Sequence, residues 1–308
     1  MNTSQLVGSE QDPVGSLTAA RVVIVAGKGG VGTTTVTAVL ARAASARGLR
    51  VAAIELDGKP ALAEMLAGSG VEIRAISAPD ALDEYLREHG FSRVASRLSS
   101  TGVIDVVGTA APGIDDIVVL GKIKQLERSG EWDLILVDGP ASGHAITFLT
   151  SASGMLDAVR GGPVKTQAEE VLRLLRDPER CQVVLVTLPE TTPVNEVIET
   201  AFALEDVVGV QLGPVVINAV DSAADAVPDP DDPAVAARLA SFPDAERTAL
   251  ADAARFRRSR RTMELDEIDR LAASLPLPQV QIGWVAAAGL SADDVARLAA
   301  TLDGDDPS

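Results

Sequence analysis

Cysteine is almost missing from this chain: Cys181 is the only one in 308 residues. A lone thiol excludes an internal disulfide and a cysteine-based zinc site, and it suits a reducing compartment. Aromatic residues make up 3% of the chain against 46% for all hydrophobic types, so the core must rest on Val, Leu, Ile and Ala. Positive charge is scarce as well. Lys and Arg number 27 against 44 Asp and Glu, and the resulting charge of −17 argues against binding a nucleic-acid backbone. No apolar run approaches the roughly 18 residues of a membrane span, and no basic, apolar leader precedes Arg21. The composition predicts a soluble, cytoplasmic protein.

Apolar runs alternate with helix-periodic stretches. Residues 21–26, 51–56, 71–77, 132–137, 183–187 and 215–217 read as strands. Helical spacing predicts helices over 35–46, up to 66, and over 81–98, 114–127, 143–159, 165–175, 194–204, 234–273 and 291–302. Strands separated by helices imply an α/β fold with a doubly wound, mostly parallel sheet and helices on both faces. Residues 1–19, polar and rich in Ser and Gly, are expected to form a disordered leader. Residues 20–308 are expected to form a single domain, with an acidic, proline-rich loop at 222–233.

Gly27-Lys28-Gly29-Gly30-Val31-Gly32-Thr33-Thr34-Thr35 joins the first strand to the first long helix. Strand, glycine-rich loop and helix in that order make a phosphate cradle, in which backbone N–H groups and a helix N-terminus face one anion. The P-loop pattern is G-x-x-x-x-G-K-[ST]. Gly27 and Gly32 have its spacing and Thr34 takes the Mg²⁺-binding hydroxyl position, but Thr33 stands where the lysine belongs, and a lysine appears earlier at Lys28. Asp138, directly after an apolar strand, matches a carboxylate that orients Mg²⁺. Asp57 ends the second strand, within reach of a γ-phosphate. Asn218 ends another, where a carboxamide suits an adenine edge.

Gly27, Gly29 and Gly32 also spell G-x-G-x-x-G, with Glu55 placed as a ribose-binding acid would be. Lys28, the three threonines and Asp138 favour a triphosphate, because a dinucleotide site needs none of them. ATP and Mg²⁺ are the expected cofactors. Elsewhere, Arg255, Arg257, Arg258, Arg260 and Arg261 read as a solvated helix face, His89 as a surface residue, Met155 and Met263 as core filler, and Cys181 as inert.

Taken together, these motifs resemble the arsenical-pump-driving and tail-anchored-protein-targeting ATPases, a branch of the deviant-Walker-A P-loop NTPases. Gly27 to Gly32 is similar to the family's signature loop, Pro112-Gly113-Ile114-Asp115-Asp116 to a further motif, and Asp138 to His144 to its switch II segment. Val186 to Glu190 and Gly121-Lys122-Ile123-Lys124 are closer to a bacterial subgroup of paired ATPase subunits. The resemblance implies hydrolysis of ATP to ADP and phosphate by a nucleotide-switched dimer, either a homodimer or a heterodimer with a paralogous ATPase. It implies that Lys28 reaches a partner's phosphates, that Asp57 positions water, that Gly143 and His144 belong to a switch, and that Asn218 reads adenine. It also implies coupling to anion transport or to a membrane-protein client. Three departures qualify this. Thr33 predicts slow hydrolysis unless Lys28, Lys59 or a partner's lysine compensates. Asp57-Gly58-Lys59-Pro60 replaces the family's Asp-Pro-Ala-His, and a Cys-x-x-Cys zinc clamp is missing. The alternative is a hydrolysis-impaired, nucleotide-binding regulatory subunit that supports a paralogous partner.

Overall fold

Val22, Val23, Ile24, Val25 and Ala26 are all buried, as a strand in the middle of a sheet covered on both faces requires. In the computed structural model, which describes residues 12–56, 61–88, 90, 113–140 and 144–303, they form β1 (Val22–Gly27). The other strands are β2 (Val51–Glu55), β3 (Glu72–Ala75), β4 (Leu134–Asp138), β5 (Cys181–Thr187), β6 (Val215–Val220) and β7 (Gln279–Gly283). They make one seven-stranded sheet in the order β3-β2-β4-β1-β5-β6-β7, with every recorded pairing parallel. The chain first runs out through β2 and β3, returns with β4 beside β1, and then crosses to β5. The switch in winding direction therefore falls next to β1, the place where open parallel sheets bind ligands.

Alternation along each strand divides the core in two. Val22, Ile24 and Ala26 face one helical layer and Val23 and Val25 the other, and Val183, Leu185 against Val184, Val186 repeat the pattern. The second layer contains α1 (Pro13–Leu17), α2 (Thr33–Ala46), α3 (Ala61–Met65) and a C-terminal helix, Ala292–Leu302. Alanine is frequent in α2: Ala38, Ala41, Ala43 and Ala44 are all fully buried, and such small side chains let the helix lie close to the strands. The first layer contains α4 (Ala78–Glu88), α5 (Ile114–Ser129), α6 (His144–Ala158), α7 (Pro163–Leu175) and α8 (Thr191–Val207). After β6 come a 3₁₀ turn (Ser222–Ala226), α9 (Pro233–Leu239) and α10 (Asp244–Ser274), so the C-terminal helix is α11. As the sequence indicates, Ser291 caps α11, in a reciprocal box with Asp294.

Several expectations need correction. Residues 12–19 are not a disordered leader. Asp12 caps α1, Pro13 fits its first turn, and Val14 and Leu17 are buried against the α2 layer. The helix expected over 234–273 is two helices, because Pro243 breaks it. Strand β7 was not expected, since Gln279 and Gln281 interrupt its apolar pattern and prolines precede it. Met155 is core, but Met263 is 62% exposed.

The arginine run is an exposed face at Arg255, Arg258 and Arg260, as expected, but all five arginines are paired and Arg261 is buried. Arg257 reaches Asp221 through two bonds of 2.7 Å, Arg261 reaches Asp225 at 2.8 and 3.0 Å, and Arg255 reaches Asp231 at 2.7 Å. Arg258 donates to the Val227 carbonyl at 3.0 Å and approaches Asp229, and Arg260 lies 3.4 Å from Glu190. The run clasps the acidic segment after β6 onto α10.

Candidate functional site

The loop after β1 is shaped by glycines in left-handed conformation, Gly29, Gly30 and Gly32. Gly32 is the critical one. It is the N-cap of α2 at φ 89°, and a Cβ there would lie 2.3 Å from Asn218 Nδ2. Val31, 3% exposed, plugs the loop into the core, and its carbonyl accepts a 2.9 Å bond from the Asn218 amide. Asn218 therefore braces the cradle. It does not end its strand but lies inside β6, just before an irregularity in the pairing of β6 with β7. Ala219, at φ 58°, is the one non-glycine residue with positive φ among the described residues. Such strain costs on the order of 1–3 kcal/mol and persists where the surroundings enforce it. Here the bulge turns Asn218 toward the loop.

Thr34 and Asp138 are brought together. The Thr34 hydroxyl donates to an Asp138 carboxylate oxygen at 2.7 Å, and Thr37, one turn along α2, approaches the other at 3.5 Å. Thr37 is fully buried and also donates to the Thr33 carbonyl at 2.9 Å. The turn after Asp138 is equally fixed: Gly139 donates to the Val25 carbonyl at 2.9 Å, and a Cβ on it would come within 2.5 Å of that oxygen. Glu55, the ribose-binding acid of the dinucleotide reading, is level with Asp138 on the neighbouring strand. Asp57, Lys59, His89, Pro112 and Gly143 lie outside the described residues, as does the His144 side chain, although His144 begins α6.

Lys28 is engaged. Its ammonium lies 3.1 Å from Glu196 on α8. Neither Glu196 nor Thr37 was singled out from the sequence. Thr37 could have been found from its helical spacing to Thr34, whereas Glu196 meets Lys28 only through the fold. Cys181 opens β5 fully buried, and burial pushes its thiol up to about 12, which makes it inert.

Two neighbouring oxygen donors, a hydroxyl and a carboxylate, suit a hard cation such as Mg²⁺. That ion is commonly held by one or two protein groups together with phosphates and water. No group of three or more His, Cys, Asp or Glu side chains suited to a metal ion occurs among the described residues.

A parallel sheet with this loop and carboxylate at its winding switch defines a P-loop nucleotide-binding protein. The sequence profile of the anion-transporting ATPases matches residues 20–161. Similar proteins include ATPase BagA of Mycobacterium tuberculosis, 31% identical over 227 residues and aligned over 66% of each chain. The arsenical pump-driving ATPase of Escherichia coli is 30% identical over 180 residues, covering 57% of this chain and 30% of that one. Its counterpart from Acidiphilium multivorum is 29% identical over 180 residues, with the same coverages. This chain belongs to the anion-transporting ATPase family. The alignments span just under two thirds of BagA and under one third of the pump ATPases.

Proposed function

We propose that the chain is an ATP-binding, Mg²⁺-dependent ATPase that works in the cytoplasm as a nucleotide-switched dimer, formed with a second copy or a paralogous ATPase. The observation that carries this reading is the 2.7 Å bond from Thr34 to Asp138 at the mouth of the glycine cradle. Backbone amides from Gly29 to Thr34 hold the phosphates, helped by the N-terminal end of α2. Thr34 and Asp138 hold Mg²⁺, which when bound neutralises charge on the β- and γ-phosphates. Asp57 orients the attacking water, Asn218 serves the adenine while bracing the loop, and Gly143 with His144 belongs to the segment that responds to the γ-phosphate. Lys28 supplies the one mobile cation of the loop. No helix among the described residues is long and apolar enough to cross a membrane. Buried Cys181 offers no thiolate to an arsenite-type anion, so the coupling proposed is to a protein: the second subunit or a membrane-protein client.

The test is thermal stabilisation by ATP–Mg²⁺ against NAD, followed by single-turnover hydrolysis. Stabilisation by ATP–Mg²⁺ alone supports the site, and stabilisation by NAD alone overturns it. A second reading, a nucleotide-binding subunit that hydrolyses poorly by itself, is favoured by Thr33 in the lysine position and by the engagement of Lys28 with Glu196. Hydrolysis only when a paralogous ATPase is added selects that reading over a self-sufficient enzyme.

A further inference from the structure

Lys28 is the only cation between Gly27 and Thr35, so its position sets the charge the loop offers to a phosphate. The carboxylate that holds it, Glu196, stands on α8, which follows β5 and starts at the same edge of the sheet as the loop. One Glu196 oxygen lies 3.1 Å from the Lys28 ammonium, and the other would be 3.6 Å from a Cβ built on Gly29. The carboxylate therefore lies along the first residues of the cradle rather than merely near one long side chain.

Glu196 is presented by a well-anchored helix. Next to it, Asn195 accepts a 2.8 Å bond from Arg270 of α10, and Arg270 also donates to the Thr191 carbonyl at 3.3 Å. The Thr191 hydroxyl donates to Glu267 of α10 at 2.9 Å. Lys28, by contrast, sits on a glycine loop and has four rotatable methylenes. When the pair opens, it is the lysine that moves.

A carboxylate and a phosphate are competing anions for one ammonium. We propose that Glu196 is a positioning residue that parks Lys28 beside the cradle and gives it up when the triphosphate of ATP arrives, in the same loop or in that of a second copy. The proposal rests on the reading of the loop as an ATP site. The Lys28 and Glu196 side chains are 45% and 25% exposed, so the pair is partly solvated and its competition is modest. Pairs of this kind correspond to about a 1.5- to fivefold difference in affinity.

The experiment is an ATP–Mg²⁺ titration, followed by calorimetry, of the full chain, E196Q, K28A and the double variant K28A/E196Q. E196Q keeps the side-chain shape and removes the charge. It is expected to bind ATP about 1.5- to fivefold more tightly than the unaltered chain. In the K28A background, E196Q should give no gain. The advantage of E196Q should shrink at about 0.5 M salt, where screening already loosens the pair. Unchanged or weaker ATP binding by E196Q overturns the proposal. So does an equal gain in the K28A background, which would mean that Glu196 merely repels phosphate. Melting temperatures without nucleotide should agree across all four proteins, which verifies that each is folded. If the folded, unaltered chain is not stabilised by ATP–Mg²⁺, the reading of the loop itself fails, and the parking role fails with it.

Discussion

The loop after β1 and the face of α10 solve opposite electrostatic problems. The loop prepares for an anion with backbone groups held in place by glycine conformation, a buried valine and the Asn218 brace. The α10 face gathers five arginines and meets each with an oxygen of the chain's own, mostly carboxylates between Asp221 and Asp231. In a protein of charge −17, the cation-rich region is thus consumed internally, while the site that needs a cation keeps one lysine. Anion binding can be built from peptide geometry, which charge balance does not alter. An acidic segment, by contrast, stays folded only where side-chain cations answer it.

Breaking the loop side should give the largest effect. Asp138→Ala removes the partner of Thr34, and single-turnover hydrolysis should fall at least about a hundredfold, the scale of losing one preorganised electrostatic contact. On the α10 side, Arg261→Ala should be the costliest change. Arg261 is 9% exposed and bridges Asp225 to Glu264, itself 2% exposed, so its loss should lower stability by about 2 kcal/mol in chemical denaturation. Thr33→Lys restores a cation to the loop and should raise the hydrolysis rate about tenfold, on the scale of neutralising phosphoryl charge; an unchanged rate would mean that Lys28 suffices. Arg257→Ala, at a more exposed pair, should lower the denaturation midpoint by clearly less than Arg261→Ala does.

The smallest effect concerns pH. Hydrogen bonds from Arg257, Arg261 and Arg255 hold the Asp221, Asp225 and Asp231 carboxyls below their ordinary value of 3.8. Groups lowered in the folded state contribute stability above their unfolded value and lose it as pH falls through the folded one. Melting temperature should therefore be insensitive to these pairs from pH 7 to about 4 and should decline below that, more steeply in the unaltered chain than in Arg257→Ala.

Much of the fold was legible because the inner strands are continuous apolar runs that need no knowledge of their neighbours. Strand β7 and helix α1 were not. The first carries glutamines and the second is a single turn, so both depend on tertiary packing for their identity. Within the site, Thr34 and Asp138 were legible from spacing and strand position, and the fold joins them as expected. The inward placement of Asn218 was hidden because a bulge next to Ala219 extends β6 past the apolar run. Glu196 was hidden because nothing local distinguishes it from the other carboxylates on its helix. The pairing of arginines 255–261 was hidden because most of their partners lie about 30 residues away in a proline-rich stretch that local periodicity cannot place.

Helix α2, whose first turn faces the phosphate cradle, ends at Arg47. That guanidinium is shared between Asp12, just ahead of α1, and Asp303, just after α11. At 14 residues the helix is a rod about 21 Å long, fastened at its far end to sequence positions nearly 300 residues apart. Such a rod has little freedom to tilt. A nucleotide-driven rearrangement would therefore proceed by moving the surrounding elements around a stationary axle, and probes attached near Arg47 would make good fixed reference points for measuring it.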